Sequence, residues 1–182
     1  MAVTAIDKAA LIVLDLQVAT ASLPTTPNTA PEIIERSTRL ANAFRDKGLP
    51  VIWVTVDGGV SGRVDNQGAA PDLPANWAEL LDELGVQPSD KKLAKQAWGA
   101  FHDDRLHSLL QELNVEQVVL TGVTTSYAVE STARAAYERN YNVVVVSDAI
   151  GDLDAAAHEN SVTRIFPNLG EVGTADDVLA RL

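Results

Sequence analysis

Two side chains of complementary acid–base character, Asp15 and Lys95, are the first candidates for chemistry in this chain. Asp15 directly follows an apolar run, residues 9–14, and burial at the edge of a core raises the pKa of a carboxyl group because it disfavours the charged form. Such a group can exchange protons near neutral pH. A lysine beside it could keep it ionised or stabilise an anionic intermediate. The structural alternatives are that Asp15 caps a turn and Lys95 is a solvated surface group.

A third candidate is the segment 121–141, in which a predicted strand meets a predicted helix. Free backbone N–H groups at the start of a helix can bind a developing oxyanion or a carboxylate. The alternative is a plain strand–helix turn in which Gly122 supplies flexibility. Hydroxyl groups follow at Thr124, Thr125 and Ser126, but no histidine lies close to them in sequence to activate one.

The elements that must position these groups alternate between buried strands and amphipathic helices. Continuous apolar runs predict strands, which fall at 9–14, 51–56, 117–121 and 142–147, with 91–95 and 171–173 as shorter candidates. A helix is predicted from Pro31, which suits a first turn, to Gly48, which suits an end. Further helices are predicted at 77–84, 103–113, 127–139 and 155–166, and Thr174 caps a last one. The Gly-, Asp- and Pro-rich composition of 57–74 predicts a long loop.

This alternation predicts the fold class, an α/β Rossmann-like, doubly wound, mostly parallel six-stranded sheet with helices on both faces. A length of 182 residues fits one domain, 1–182. In such folds the ligand site lies beyond the carboxyl ends of the strands. Asp15, Asp57, residues 122–126 and Asp148 all follow predicted strand ends. The sequence therefore predicts a site at that edge of the sheet.

Composition restricts the possible partners and cofactors. The net charge of −11 argues against nucleic-acid binding. No apolar run reaches the roughly 18 residues of a membrane span, and no secretory signal is apparent, so a cytoplasmic location is expected. The chain has no cysteine, which excludes disulfides, thiolate metal sites and cysteine nucleophiles. No dinucleotide-binding fingerprint follows the first strand, so we expect no cofactor.

Three ordered motifs resemble those of the isochorismatase-like hydrolase superfamily: ALIVLDLQ, AKQAWGAF and LTGVTTSYAVESTARAAYERNYNVVVVSDA. The resemblance implies the isochorismatase-like fold, with Asp15 as the catalytic carboxylate and Lys95 as the catalytic lysine. It places Ala128 where the amidase branches carry a cysteine nucleophile. It also implies a cis peptide bond at Val123–Thr124 and a homo-oligomer. Some relatives bind zinc through an Asp and two histidines on early loops, but no histidine precedes His102 here, so we expect no metal.

Ala128 departs from the amidase pattern and decides between mechanisms, because a methyl group cannot attack an amide or a nitrile. Three hypotheses stay open. The chain could resemble the cysteine-free isochorismatase branch, with Asp15 as the general acid that protonates a vinyl ether and Lys95 orienting a substrate carboxylate. It could be an amidase-type cysteine hydrolase whose nucleophile was replaced by alanine. It could also be a non-catalytic protein that binds a small molecule.

We expect further substrate contacts from six residues, although most of them also have a structural interpretation. Arg63, in the long loop, could bind a carboxylate with two hydrogen bonds or could be solvated. Trp98 and Tyr127 could favour a flat or cyclic ligand or could belong to the core. The remaining candidates are Gln17, Thr124 and Thr125. The three histidines, His102, His107 and His158, fall in or next to segments with a helical pattern and are expected to be structural.

Overall fold

The computed structural model describes residues 3–65 and 72–182 of the chain. Residues 66–71 of the predicted loop lie outside this range, and no helix or strand occurs at 57–65 or 72–74. Six strands form one sheet in the order β3-β2-β1-β4-β5-β6, and every neighbouring pair is parallel. The sheet is thus entirely parallel, where the sequence predicted a mostly parallel one. The strands are β1 (Ala9–Leu14), β2 (Val51–Val56), β3 (Lys91–Lys95), β4 (Gln117–Val123), β5 (Asn142–Gly151) and β6 (Glu171–Gly173).

Helices cover both faces of the sheet, as the sequence predicted. They are α1 (Ala30–Asp46), α2 (Arg105–Glu112), α3 (Glu130–Glu138), α4 (Ala155–Asn160) and α5 (Ala175–Leu179). Successive side chains of a strand point to opposite faces. Ile12 and Leu14 of β1 accordingly pack in one core cluster with residues of α2 and α3, and Leu11 and Val13 pack in a second cluster with residues of α1 and α5.

The predicted helix at 77–84 is wrong. Residues 75–78 form a turn, and the only helical piece of this stretch is a single 3₁₀ turn at Asp82–Leu84. Between them Leu80 forms an antiparallel bridge with Gln17. An extended residue in the middle of the segment is incompatible with a continuous helix, so a tertiary contact overrides the local pattern here.

The strand–helix junction that follows β4 also differs from the prediction. β4 runs two residues further than expected, to Val123, and the helix begins at Thr125 with a π-helical turn, Thr125–Val129, that leads into α3. β5 continues past the predicted end to Gly151, because a register shift lets Gly122 pair with Ile150. Asp148 consequently lies within β5 rather than beyond it.

The predicted helix at 155–166 is divided into three short pieces. After α4 come a π-helical turn, Ser161–Ile165, and a 3₁₀ turn, Phe166–Asn168. Pro167 cannot donate a backbone hydrogen bond, which favours ending the helix at this point. In the described ranges, no helix has the length and apolar character needed to cross a membrane.

The chain leaves β1 towards β2 and β3 on one side and returns to β4, β5 and β6 on the other, so the strand order reverses between β1 and β4. Such a switch point is where open α/β sheets bind ligands. The two strands lie very close together here: a Cβ added to Gly122 of β4 would lie 2.0 Å from the carbonyl oxygen of Leu14. Asp15 follows Leu14 directly and therefore emerges at the switch point.

Candidate active site

A cavity of about 210 Å³ lies at this switch point. Predicted site residues that line it are Asp15, Lys95, Trp98, Thr124, Tyr127 and Ala128. Sequence reasoning missed four others: Thr20, Val56, Ala97 and Val123. Apolar residues such as the last three carry no chemical signal in a sequence. A larger groove, about 940 Å³, lies between β3 and α2. Its one charged residue with a buried side chain is Asp90, whose carboxylate is paired with Arg45 at 2.6 Å. The other charged residues of its lining are exposed: Lys91, Lys92, Asp104, Arg105 and Glu112.

Asp15 is held at the floor of the cavity by its own backbone. Its φ is +56°, a left-handed conformation that few residues other than glycine adopt and that occurs often at functional sites. The N–H of Asp15 donates to the carbonyl of Val54 at 2.8 Å, and its carbonyl accepts a hydrogen bond from the hydroxyl of Thr20. Burial raises the pKa of the Asp15 carboxyl to about 6, although the nearby Lys95 opposes this rise.

Lys95, the last residue of β3, brings its ammonium group to the same point. Its Nζ donates to Oδ2 of Asp15 at 2.7 Å and to the carbonyl of Ala97 at 3.0 Å. Both charged side chains are buried, with 3% of the Lys95 side chain and 7% of the Asp15 side chain exposed. The second carboxylate oxygen of Asp15, Oδ1, is buried and has no hydrogen-bond partner among the described residues. One oxygen is therefore anchored, and the other has an unused hydrogen-bonding capacity.

The turn after β4 forms the opposite wall of the cavity. The Val123–Thr124 peptide bond is cis, as the family resemblance implied. The N–H of Ser126 donates to the Asp152 carboxylate at 2.6 Å, so this N–H is already occupied. Ala128 follows within the π-helical turn and lines the cavity with its methyl group. A side chain that could attack a substrate is thus absent at the position where the family resemblance places the cysteine of the amidase branches.

Thr125 is the first residue of this π-helical turn and does not line the cavity, although we predicted a substrate contact for it. It is fully buried, and its hydroxyl forms a 2.9 Å hydrogen bond with Nδ1 of His158 from α4. Burial lowers the pKa of His158, opposed by the negative charges of Asp152 and Glu159, and this favours the neutral imidazole. Sequence reasoning missed this pair because the two residues are 33 positions apart.

Gln17 and Arg63, two other predicted substrate contacts, also lie outside the cavity lining. Gln17 is fully buried, and its side chain accepts from the N–H of Val56 and donates to the carbonyls of Val56 and Trp77. It therefore fixes the end of β2 against the loop that carries Trp77. Arg63 is exposed in the described part of the long loop.

Two aromatic side chains stand at the mouth of the cavity. The rings of Trp98 and Tyr127 meet edge to face, with centroids 4.7 Å apart and planes at 82°. They are 62% and 43% exposed, which is unusual for large aromatic residues. Both residues line the cavity, so they offer a flat apolar surface to a ligand that enters it.

The other two histidines make local contacts away from the cavity. Nδ1 of His107 lies 2.9 Å from the Tyr141 hydroxyl, and Nε2 of His102 lies 3.1 Å from the Asp103 carboxylate. Across residues 3–65 and 72–182, no cluster of three or more His, Asp or Glu side chains is arranged to hold a metal ion.

A family model, protein sequences and a solved structure all match this chain over nearly its whole length. The family model of the isochorismatase domain matches residues 9–177. The chain is 35% identical, over 95% of both proteins, to the uncharacterized isochorismatase family protein YecD of Escherichia coli O157:H7. It is 30% identical to the uncharacterized family protein YwoC of Bacillus subtilis, over 97% of this chain and 95% of that protein. An isochorismatase family protein from Burkholderia thailandensis superposes with a TM-score of 0.92 at 40% identity, over 98% of this chain and 97% of that one.

Proposed function

The chain belongs to the isochorismatase family of hydrolases, and from this premise we propose that it hydrolyses a small molecule by acid–base chemistry at Asp15, without a covalent intermediate. The observation that carries the proposal is the state of the Asp15 carboxyl group. It is buried in the cavity, its pKa is raised to about 6, and Oδ1 has no partner among the described residues. A carboxyl group with such a pKa can act as a general acid near neutral pH.

Ala128 supports the absence of a covalent step. It lines the cavity at the position of the cysteine in the amidase branches, and the chain contains no cysteine elsewhere. The hydroxyl of Thr125, which could have replaced a thiol, is buried and engaged with His158. In the proposed mechanism, hydrolysis begins with proton transfer to the substrate rather than with nucleophilic attack by a side chain at position 128.

A vinyl ether is the bond type that suits this chemistry. The protonated Asp15 carboxyl delivers its proton to the terminal carbon of the double bond, whose π electrons form the new C–H bond and leave an oxocarbenium ion. Water adds to the cationic carbon and returns a proton to the Asp15 carboxylate. The resulting hemiketal or hemiacetal collapses to a carbonyl compound and an alcohol. Lys95 holds Oδ2 during both proton transfers and stabilises the carboxylate that the first one creates.

The test is a comparison of two vinyl ethers with the purified protein. Isochorismate would release pyruvate, and phenyl vinyl ether would release acetaldehyde and phenol. We expect turnover that depends on Asp15 for at least one of the two, and a loss of about 100-fold or more in Asp15→Asn. Asp82→Asn, which changes an exposed carboxylate in the same way, is the matched control and should retain full activity. No turnover of either ether by the folded protein would refute the vinyl-ether mechanism and leave another substrate class or a binding role.

The amidase hypothesis keeps one supporting observation, the location of Ala128 in the cavity wall. If alanine had replaced a cysteine nucleophile, restoring the thiol should restore amide hydrolysis, which the Ala128→Cys variant described below can test. The homo-oligomer that the family resemblance implied stays a prediction, and light scattering of the purified protein would measure it.

A further inference from the structure

Thr20 lines the cavity, and its hydroxyl binds the backbone that carries Asp15. This hydroxyl donates to the carbonyl of Asp15 and accepts from the N–H of Gln17 at 3.1 Å. The N–H of Thr20 donates in turn to the carbonyl of Gln17 at 3.0 Å. One side chain therefore fixes the two successive peptide groups that follow Asp15.

The backbone conformation of Asp15 explains why this support matters. Its φ of +56° lies in the left-handed region, which residues with a side chain disfavour. Asp15 is 5% exposed, so its carbonyl is shielded from water and would lose this hydrogen bond at a cost if the Thr20 hydroxyl were removed. The hydroxyl therefore favours the left-handed conformation over others that would turn the carbonyl away. The position of the carboxyl group follows from this conformation, because the backbone sets the direction of the Cα–Cβ bond.

Other contacts hold the rest of this segment without the Thr20 hydroxyl. Leu16 is buried in the core cluster that includes residues of α1. The side chain of Gln17 both donates to and accepts from the backbone of Val56 at the end of β2. We therefore expect the fold to tolerate loss of the hydroxyl, and the effect of that loss to be concentrated at Asp15.

We propose that Thr20 is a positioning residue whose hydroxyl holds the backbone of Asp15 so that Oδ2 stays against Lys95 and Oδ1 stays without a partner. Lys95 Nζ lies 2.7 Å from Oδ2, a contact that a small rotation of the Asp15 backbone would lengthen. Lys95 is the one other charged residue among the described residues that line the cavity. Thr20 thus acts through Asp15, and this role rests on the proposed function only in taking Asp15 as the acid.

The proton on Asp15 reports this position without any substrate. An NMR titration of the Asp15 carboxyl carbon, assigned by its absence in Asp15→Asn, would compare the wild type with Thr20→Val, which keeps the shape of the side chain and loses the hydroxyl. Burial raises the pKa of Asp15 and Lys95 opposes the rise, so a longer distance to Lys95 should move the midpoint to higher pH. We expect the acid dissociation constant of Asp15 to fall at least about threefold in Thr20→Val.

Two further variants separate the hydroxyl from other effects of substitution. Thr20→Ser retains the hydroxyl and should keep the wild-type midpoint. Thr163→Val is the matched control, because Thr163 is exposed and its hydroxyl also donates to a backbone carbonyl, that of Glu159, at 2.7 Å. It should leave the titration of Asp15 unchanged. Circular dichroism would show that each variant is folded.

Turnover gives a second measurement with whichever of the two vinyl ethers is hydrolysed. Thr20→Val should lower kcat at least about tenfold and leave KM within about twofold, because Thr20 acts on the acid rather than on substrate binding. A titration that depends on Thr20, without turnover of either ether, would support the positioning role and refute the vinyl-ether mechanism. Asp15-dependent turnover, with the titration and kcat unchanged in Thr20→Val, would support that mechanism and overturn the positioning role.

The role of the hydroxyl itself can also be refuted. A folded Thr20→Val with the wild-type midpoint would overturn it, and so would a Thr20→Ser variant whose midpoint moves as far as that of Thr20→Val. If Thr20→Val does not fold, Thr20→Ala removes the same hydroxyl from a smaller side chain and takes its place. The comparison of Thr20→Ser with the wild type decides in either case whether a hydroxyl is sufficient.

Discussion

Lys95 Nζ donates a hydrogen bond to only one of the two carboxylate oxygens of Asp15, at 2.7 Å, and leaves the buried Oδ1 without a partner among the described residues. The two residues are 80 positions apart in the chain and meet because β1 and β3 end at the same edge of one parallel sheet. This asymmetry separates two tasks within one carboxyl group. Oδ2 is the anchored atom whose interaction with Lys95 favours the carboxylate, and Oδ1 is the atom that we propose exchanges a proton with a substrate.

The pH dependence of turnover should report the proton on Asp15. Burial raises its pKa to about 6, so the carboxyl group retains its proton at lower pH and loses it at higher pH. If the protonated form is the general acid, kcat/KM for phenyl vinyl ether should be level below about pH 6 and fall by about tenfold per pH unit above it. A rate that increases through this range would instead identify Asp15 as a general base. Circular dichroism at each pH would show that the protein stays folded.

Removing the charge of Lys95 should move that profile in a defined direction. Lys95 lowers the pKa of Asp15 against the effect of burial, so Lys95→Met should raise this pKa and shift the midpoint of the kcat/KM profile to higher pH. Lys92→Met changes an exposed lysine of the same strand and should leave the midpoint in place. An unchanged midpoint in Lys95→Met, in a variant that still turns over, would mean that the profile does not report Asp15.

The sequence predicted those features of the site that follow from the pattern of neighbouring residues along the chain. The apolar run of β1 and its terminal Asp15 identified the edge of the sheet where the site lies. The pattern at 77–84 was misleading because Leu80 bridges to Gln17, a contact that no local periodicity contains. Gln17 and Thr125 were predicted to bind substrate, but the structure directs their polar groups to backbone and to His158. Such contacts depend on residues that only the fold brings together.

A cysteine introduced at Ala128 should be a reactive group, because it would be the sole thiol of the chain and would line the cavity beside Lys95. The Asp15 carboxylate lines the same cavity and can accept the proton of the thiol, which increases its nucleophilicity. We expect Ala128→Cys to be alkylated by iodoacetamide faster than Glu138→Cys, the control, which places a thiol at an exposed position of α3. Mass spectrometry of the intact protein would follow both reactions.

The same variant decides between the two hydrolase hypotheses. Amide hydrolysis by Ala128→Cys, absent in the wild type and in Ala128→Ser, would favour an amidase whose nucleophile has been replaced. Alkylation without amide hydrolysis would show that the cavity admits the reagent and activates the thiol, and that the remaining groups do not support acyl transfer.

The buried hydrogen bond between Thr125 and His158 should contribute to stability rather than to chemistry. Thr125→Val keeps the shape of the side chain but leaves Nδ1 of His158 unpaired, which should cost about 1–3 kcal/mol of unfolding free energy. Thr163→Val, at an exposed threonine, should cost less than about 0.5 kcal/mol. Urea denaturation would measure both variants. Equal stability of the two would show that the buried pair contributes nothing.

Gly122 should be the glycine on which the cavity depends most. Its φ is +116°, and an added Cβ would lie 2.0 Å from the carbonyl oxygen of Leu14, the residue before Asp15. Gly122→Ala therefore has to separate β1 from β4 at the switch point, and we expect a loss of more than about 3 kcal/mol in unfolding free energy together with loss of ligand binding.

Gly85→Ala isolates the effect of backbone conformation from that of the clash. Gly85 also has a positive φ, +56°, but an added Cβ would meet no atom within 4 Å. Its replacement should cost only about 1 kcal/mol, the usual penalty for a side chain in the left-handed region. Thermal and urea unfolding of the two variants would give the difference. Similar losses of unfolding free energy in Gly122→Ala and Gly85→Ala would mean that β1 and β4 can move apart at low cost. The close approach of Gly122 to Leu14 would then not determine the position of Asp15.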